Sequence, residues 1–145
     1  MKNEERMNFE CEHRGTLFDR HLFDIPKSLE RVDYLGPIPS VEVERDESVA
    51  NFCSTGCRNK KRQTTMQQQG VPIRRIGIGP IEPYARCGAP VDMTKFHVTF
   101  TENDFRIPDS RVFELVHVDY LAVLCKDCGN AKPAYCKDLY GVLET

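Results

Sequence analysis

Tryptophan is missing from the 145 residues, and the apolar side chains come in short runs. Small chains bury a smaller share of their surface, so two modest cores are expected rather than one extended one. No stretch approaches the roughly 18 consecutive apolar residues of a membrane-spanning helix, which argues against a membrane role. The opening Met1-Lys2-Asn3-Glu4-Glu5-Arg6 lacks the apolar region of a secretory signal. The reading is a cytoplasmic chain, or a nuclear one in a eukaryote, with its cysteines in a reducing compartment. An even cysteine count is missing too. Seven cysteines cannot all pair in internal disulfides, and metal ligation becomes the leading account of them.

Signatures of catalysis are equally scarce. Acidic residues are abundant but form no recognisable paired motif. Gly77-Ile78-Gly79 lacks the six-residue glycine fingerprint and following helix of a phosphate loop, so it reads as a turn. Cysteine-rich sites with four protein ligands are closed and structural, whereas a catalytic zinc keeps a position for water. The chain is therefore expected not to be an enzyme.

What is present is uneven charge and a patterned set of cysteines. The net charge of −2 divides into −5 over residues 1–50, +6 over 51–86 and −3 over 87–145. Residues 16–49, with Pro26, Pro37 and Pro39, read as irregular apart from one short strand, Val41-Glu42-Val43-Glu44, with one buried face. Residues 54–69 contain no proline, favour helix and end at Gly70-Val71-Pro72. A connector rich in proline, glycine and isoleucine follows, over 71–86. Lys95 to Thr101 alternates as a strand should, and the β-rich run Arg111 to Leu124 is long enough to pair back on it. Three segments result: an N-terminal zinc unit over 1–70, the connector, and a C-terminal zinc unit over 87–145.

Cys53-x-x-x-Cys57 and Cys125-x-x-Cys128 are close pairs, each with a lone cysteine far upstream, Cys11 and Cys87. The contexts rhyme: Cys57-Arg-Asn-Lys and Cys128-Gly-Asn-Ala-Lys. An internal duplication would explain both. Zinc takes four nitrogen or sulfur ligands in a tetrahedron, and a close pair entering a helix supplies two thiolates favoured by the helix amides. The first site is read as Cys11, His13, Cys53 and Cys57, and the second as Cys87, Cys125 and Cys128. Cys136 ranks ahead of His97 and His117 as its fourth ligand. Two zinc ions are implied.

An upstream turn, a β-hairpin and then a cysteine pair entering a helix is the order of a treble-clef zinc finger, and 87–140 resembles it. Leu124-Cys125-Lys126-Asp127-Cys128-Gly129-Asn130-Ala131-Lys132 resembles the end of HNH nucleases. Gly129 stands where those enzymes have a histidine, and no Asp-His dipeptide precedes the pair. The resemblance implies a treble clef and not nuclease activity. The fold class expected is α+β, a small zinc-stapled fold of hairpin-plus-helix units, two in tandem.

Two functions compete on this pattern. Arg58, Lys60, Lys61 and Arg62 follow directly on Cys57, and with Arg74 and Arg75 they form a candidate phosphate-contacting set whose affinity would fall steeply with salt. The bland account is that these charges are solvated or pair with the acidic flanks. The preferred reading is a non-catalytic zinc-binding accessory protein that binds and modulates a protein partner, of a kind familiar among viral and phage factors.

Overall fold

The computed structural model describes residues 8–109 and 111–125. It is sheet-dominated with one helix, a mixed architecture in which strands outweigh the helical content that an α+β expectation implied. The strands are β1 (Phe9–Glu10), β2 (Leu17–Phe18), β3 (His21–Asp33) and β4 (Ser40–Phe52), followed by the helix α1 (Thr55–Gln69). Then come β5 (Ile81–Pro83), β6 (Pro90–Asp92), β7 (His97–Asp109) and β8 (Val112–Cys125). β1–β2 and β5–β6 are small hairpins. The four long strands form one antiparallel sheet in the order β4-β3-β7-β8.

The stretch 16–49, expected to be irregular, is mostly this sheet. Pro26 is accommodated because the β3–β4 register slips between Ile25 and Pro26, and a bulge is where a residue without an N–H fits. Pro37 and Pro39 fall in the connection between β3 and β4. The strand expected at Val41–Glu44 continues to Phe52. Val41 and Val43 are exposed rather than facing a core. α1 matches its expected span. Ser54 caps it, the side-chain oxygen accepting the Cys57 N–H at 3.1 Å, and Gly70 ends it in the left-handed region at φ 72. The β7–β8 hairpin is also as expected.

The sheet is continuous across both halves because β3 pairs with β7 at its centre. One buried cluster accordingly takes side chains from each half, including Ile25, Phe52 and Met66 with Met93, Phe100 and Leu121. Two separate cores, the expectation from short apolar runs, are not what these strands build. The halves also interlock. Phe9 of β1 packs edge-on against Phe113 of β8 at 6.1 Å. In the reverse direction, the Val32 N–H donates to the Met93 carbonyl and Tyr34 donates its hydroxyl hydrogen to the Gly79 carbonyl at 2.5 Å. No helix among the described residues is long and apolar enough to cross a membrane.

Candidate metal centre

Cys11 lies in the turn of the β1–β2 hairpin, Cys53 directly follows β4, and Cys57 occupies the first turn of α1. Their sulfur atoms all lie within 4.8 Å of one another, and Cys53 and Cys57 are 3.8 Å apart. A tetrahedral ion with Zn–S near 2.3 Å holds its sulfurs about 3.8 Å apart, so the pair already has the spacing of two ligands.

The backbone favours the thiolate of Cys11 in this cluster. Burial pushes the Cys11 thiol up, but N–H groups of Arg14, Cys53 and His13 outweigh it and leave the group lowered to about 7. Cys53 is pushed up, first by burial and then by the neighbouring Cys11 and Cys57 sulfurs. Crowded thiols that resist ionising together are relieved by a cation. The three sulfurs therefore fit a soft divalent metal such as zinc. His13 stands exposed on the same turn and is not one of the three converging side chains.

The order expected for 87–140 — turn with a cysteine, β-hairpin, cysteine pair entering a helix — is present over Phe9–Gln69. The second half repeats its first two parts, with Cys87 in the β5–β6 turn ahead of the long β7–β8 hairpin. The bulges recur as well. β3–β4 slips at Ile25/Pro26 and Leu29/Glu30; β7–β8 slips at Phe100/Thr101 and Asp104/Phe105, and once more at Arg106/Asp109.

The repeat corrects one equivalence. In the first turn the Cys11 N–H donates to the Thr16 carbonyl and the Gly15 N–H to the Cys11 carbonyl; in the second, Tyr84 donates to Ala89 and Gly88 to Tyr84. Gly15 and Gly88 both have positive φ, 74 and 80. Cys11 therefore corresponds to Tyr84, and Cys87 to Arg14, rather than Cys11 to Cys87. Each turn carries one cysteine, and the two cysteines occupy different positions of the turn.

Cys87 and Cys125 are half-buried; Cys128 and Cys136 lie outside the described residues. Among the described residues only Cys11, Cys53 and Cys57 bring three candidate ligand atoms within 4.8 Å. His117 is exposed and shares a 3.0 Å contact with Asp119. His97 is fully buried, with Nδ1 2.8 Å from the Lys95 carbonyl.

The basic set is divided. Arg58 is 5 % exposed and pairs with Asp104 at 2.7 Å and with Glu102 at 3.5 Å. Arg62 also pairs with Glu102, and Arg75 reaches it at 3.3 Å. Glu102 is itself 3 % exposed. Three of the six candidate phosphate contacts thus converge on one buried carboxylate inside the fold. Arg74 packs its guanidinium over Gly88. Lys60 is exposed and Lys61 half-exposed on α1. Glu102 and Asp104 were not singled out from sequence, because acidic residues are common and only the β7 register aims these two at α1. No protein-family model, curated protein or solved structure matches the chain.

Proposed function

We propose that the chain is a non-catalytic, zinc-stapled accessory protein that binds a protein partner along the open edge of its sheet. Two zinc ions are proposed, one at Cys11, Cys53 and Cys57 and one at Cys87, Cys125 and Cys128, each within a treble-clef-like unit. An apparent binding energy of about 10–16 kcal/mol per structural zinc is comparable to the roughly 5–15 kcal/mol net stability of a domain. The metal would thus serve as part of the fold.

The observation that carries the partner reading is the contrast between the two sheet edges. On β4, residues 40–48 are exposed and include Glu42, Glu44, Arg45, Asp46 and Glu47, and such charge keeps other strands away. On β8 the exposed edge carries Val112, Phe113, Leu115, Val116 and Val118. Its charged groups there are already engaged, Glu114 with Arg106 and Asp119 with His117. Nearer the end of β8 the connector covers the edge, the Arg74 and Ala85 N–H groups donating to Leu121 and Val123. Among the described residues the open length is thus confined to 112–119. An extended, apolar segment of a partner protein suits it by adding a strand.

A Leu115→Lys/Val118→Lys variant should keep its metal content and circular dichroism but lose a stoichiometric partner that the wild type retains. Neutralising Lys60 and Lys61 should leave that complex intact. The nucleic-acid reading is favoured only by Lys60, Lys61 and Arg74, and it competes directly. Sequence-tolerant binding to DNA or RNA that falls steeply with salt, and that the Lys60/Lys61 change abolishes, would replace the partner reading.

A further inference from the structure

We propose that the protein seated on the open β8 edge is a second copy of this chain, its β8 running antiparallel to the first about a two-fold axis between Leu115 and Val116. This names the partner of the edge described above and rests on that reading. The bulge in β8 sets the geometry. His117 pairs with Asp104 and Leu115 with Phe105, so Val116 is skipped in the β7 ladder. Alternate residues of β7 share a face. Glu114 and His117, opposite Arg106 and Asp104, therefore lie on one face of the sheet. Leu115 and Val118, opposite Phe105 and Asn103, lie on the other. Phe113 joins that apolar face, its ring 6.1 Å from the ring of Phe105.

This layout is complementary to itself. A two-fold axis perpendicular to the sheet reverses the strand and keeps every side chain on its own face, and each contact it makes occurs twice. With the axis at the bulge, Glu114 comes opposite His117 of the second copy and Phe113 opposite Val118. Leu115 and Val116 meet at the axis. Facing apolar pairs, and a carboxylate facing an imidazole, favour such a ladder, and like charges nowhere face each other across it. The molecule already contains one pairing of this kind. The matched bulges make Glu30 the counterpart of Phe105 and Leu22 the counterpart of His97. Leu22 pairs with Phe105 and Glu30 with His97, the exchange that a two-fold between β3 and β7 produces. The other outer strand cannot offer the same apolar edge. At the positions of Val116 and Val118 on β8, counted from the shared bulge, β4 carries Glu44 and Asp46.

The test is sedimentation equilibrium on the full, metal-loaded chain, with circular dichroism to show that each variant is folded. The wild type should sediment as a dimer, and Leu115→Lys/Val118→Lys as a monomer. His117→Glu sets carboxylate against carboxylate and should raise the dimer dissociation constant about tenfold. Adding Glu114→Lys to it should restore the wild-type value, which general damage to the edge would not do. A dimer that survives Leu115→Lys/Val118→Lys, or a loss that the charge exchange does not repair, would overturn the proposed pairing. A monomeric wild type would overturn the second copy as occupant while leaving the edge open to a different protein.

Discussion

At the residue scale, the group most at odds with its surroundings is Asp24. Burial, opposed first by the Arg58 charge, raises its carboxyl from 3.8 to about 7. A folded-state value above the unfolded one means that the native protein holds a proton the unfolded chain has released. That stabilisation is complete below pH 4 and is lost as the pH climbs toward 7. The loss can reach about 1.4 kcal/mol per pH unit. Asp24→Asn should flatten the slope, seen as a gain in urea midpoint at pH 7.5 that vanishes near pH 4. Arg58 is the opposite case, a buried cation held by Glu102 and Asp104. Its removal in Arg58→Ala takes the 2.7 Å ion pair from Asp104 and one of three cations from Glu102 and should cost about 3 kcal/mol, measurable by denaturant unfolding of the metal-loaded chain. The sequence offered a basic run after Cys57 and nothing to say that Arg58 points inward. One turn of helix separates an outward-facing cation from a buried one, and the partner that decides the matter lies far along the chain on β7.

At the scale of elements, α1 and the β7–β8 hairpin were legible because their signals are local. A capping serine and terminal glycine bound the helix, and β-rich alternation marks the strands. β3 was not legible: its Pro26 argued against a strand, and a bulge that admits proline depends on the partner strand's register. The Cys53–Cys57 pair was equally plain from spacing, and its convergence with Cys11 fits the expectation from a lone cysteine upstream. The cap connects this element to the cysteine cluster, since the N–H that Ser54 holds belongs to Cys57. Ser54→Ala should cost about 1 kcal/mol of stability and weaken metal binding at the first cluster, read by competition with a chromophoric chelator. An unchanged metal affinity would separate the cap from the cluster. The mismatch between the turns, Cys11 against Tyr84 and Arg14 against Cys87, could not be read from spacing. The intervals between cysteines suggest the wrong pairing, and only the turn hydrogen bonds reveal the right one.

At the scale of the whole molecule, the β3–β7 ladder and the crossed packing of Phe9 on Phe113 tie each half to the other. Removing metal with a strong chelator should therefore lower the melting temperature in a single transition. Hydrogen exchange should rise in β7 as well as around Cys11, Cys53 and Cys57. Faster exchange confined to residues 8–70 would show instead that the halves respond independently. The joint sheet is what the short apolar runs concealed: each half contributes a few large side chains, and they sum to a core only when the hairpins lie side by side.

The central pairing of β3 with β7 also fixes an order of assembly. A ribosome delivers Cys57 before it begins β7 at His97, so every thiol of the first cluster is available while one side of β3 still lacks its neighbour. An ion captured then would pin the short hairpin, the long hairpin and the start of α1 together in the nascent chain. It would present a ready template to the strand still being made. On this account, starving a cell of metal during synthesis does more harm than withdrawing metal from the finished protein, because the first case exposes β3 to every other strand in reach.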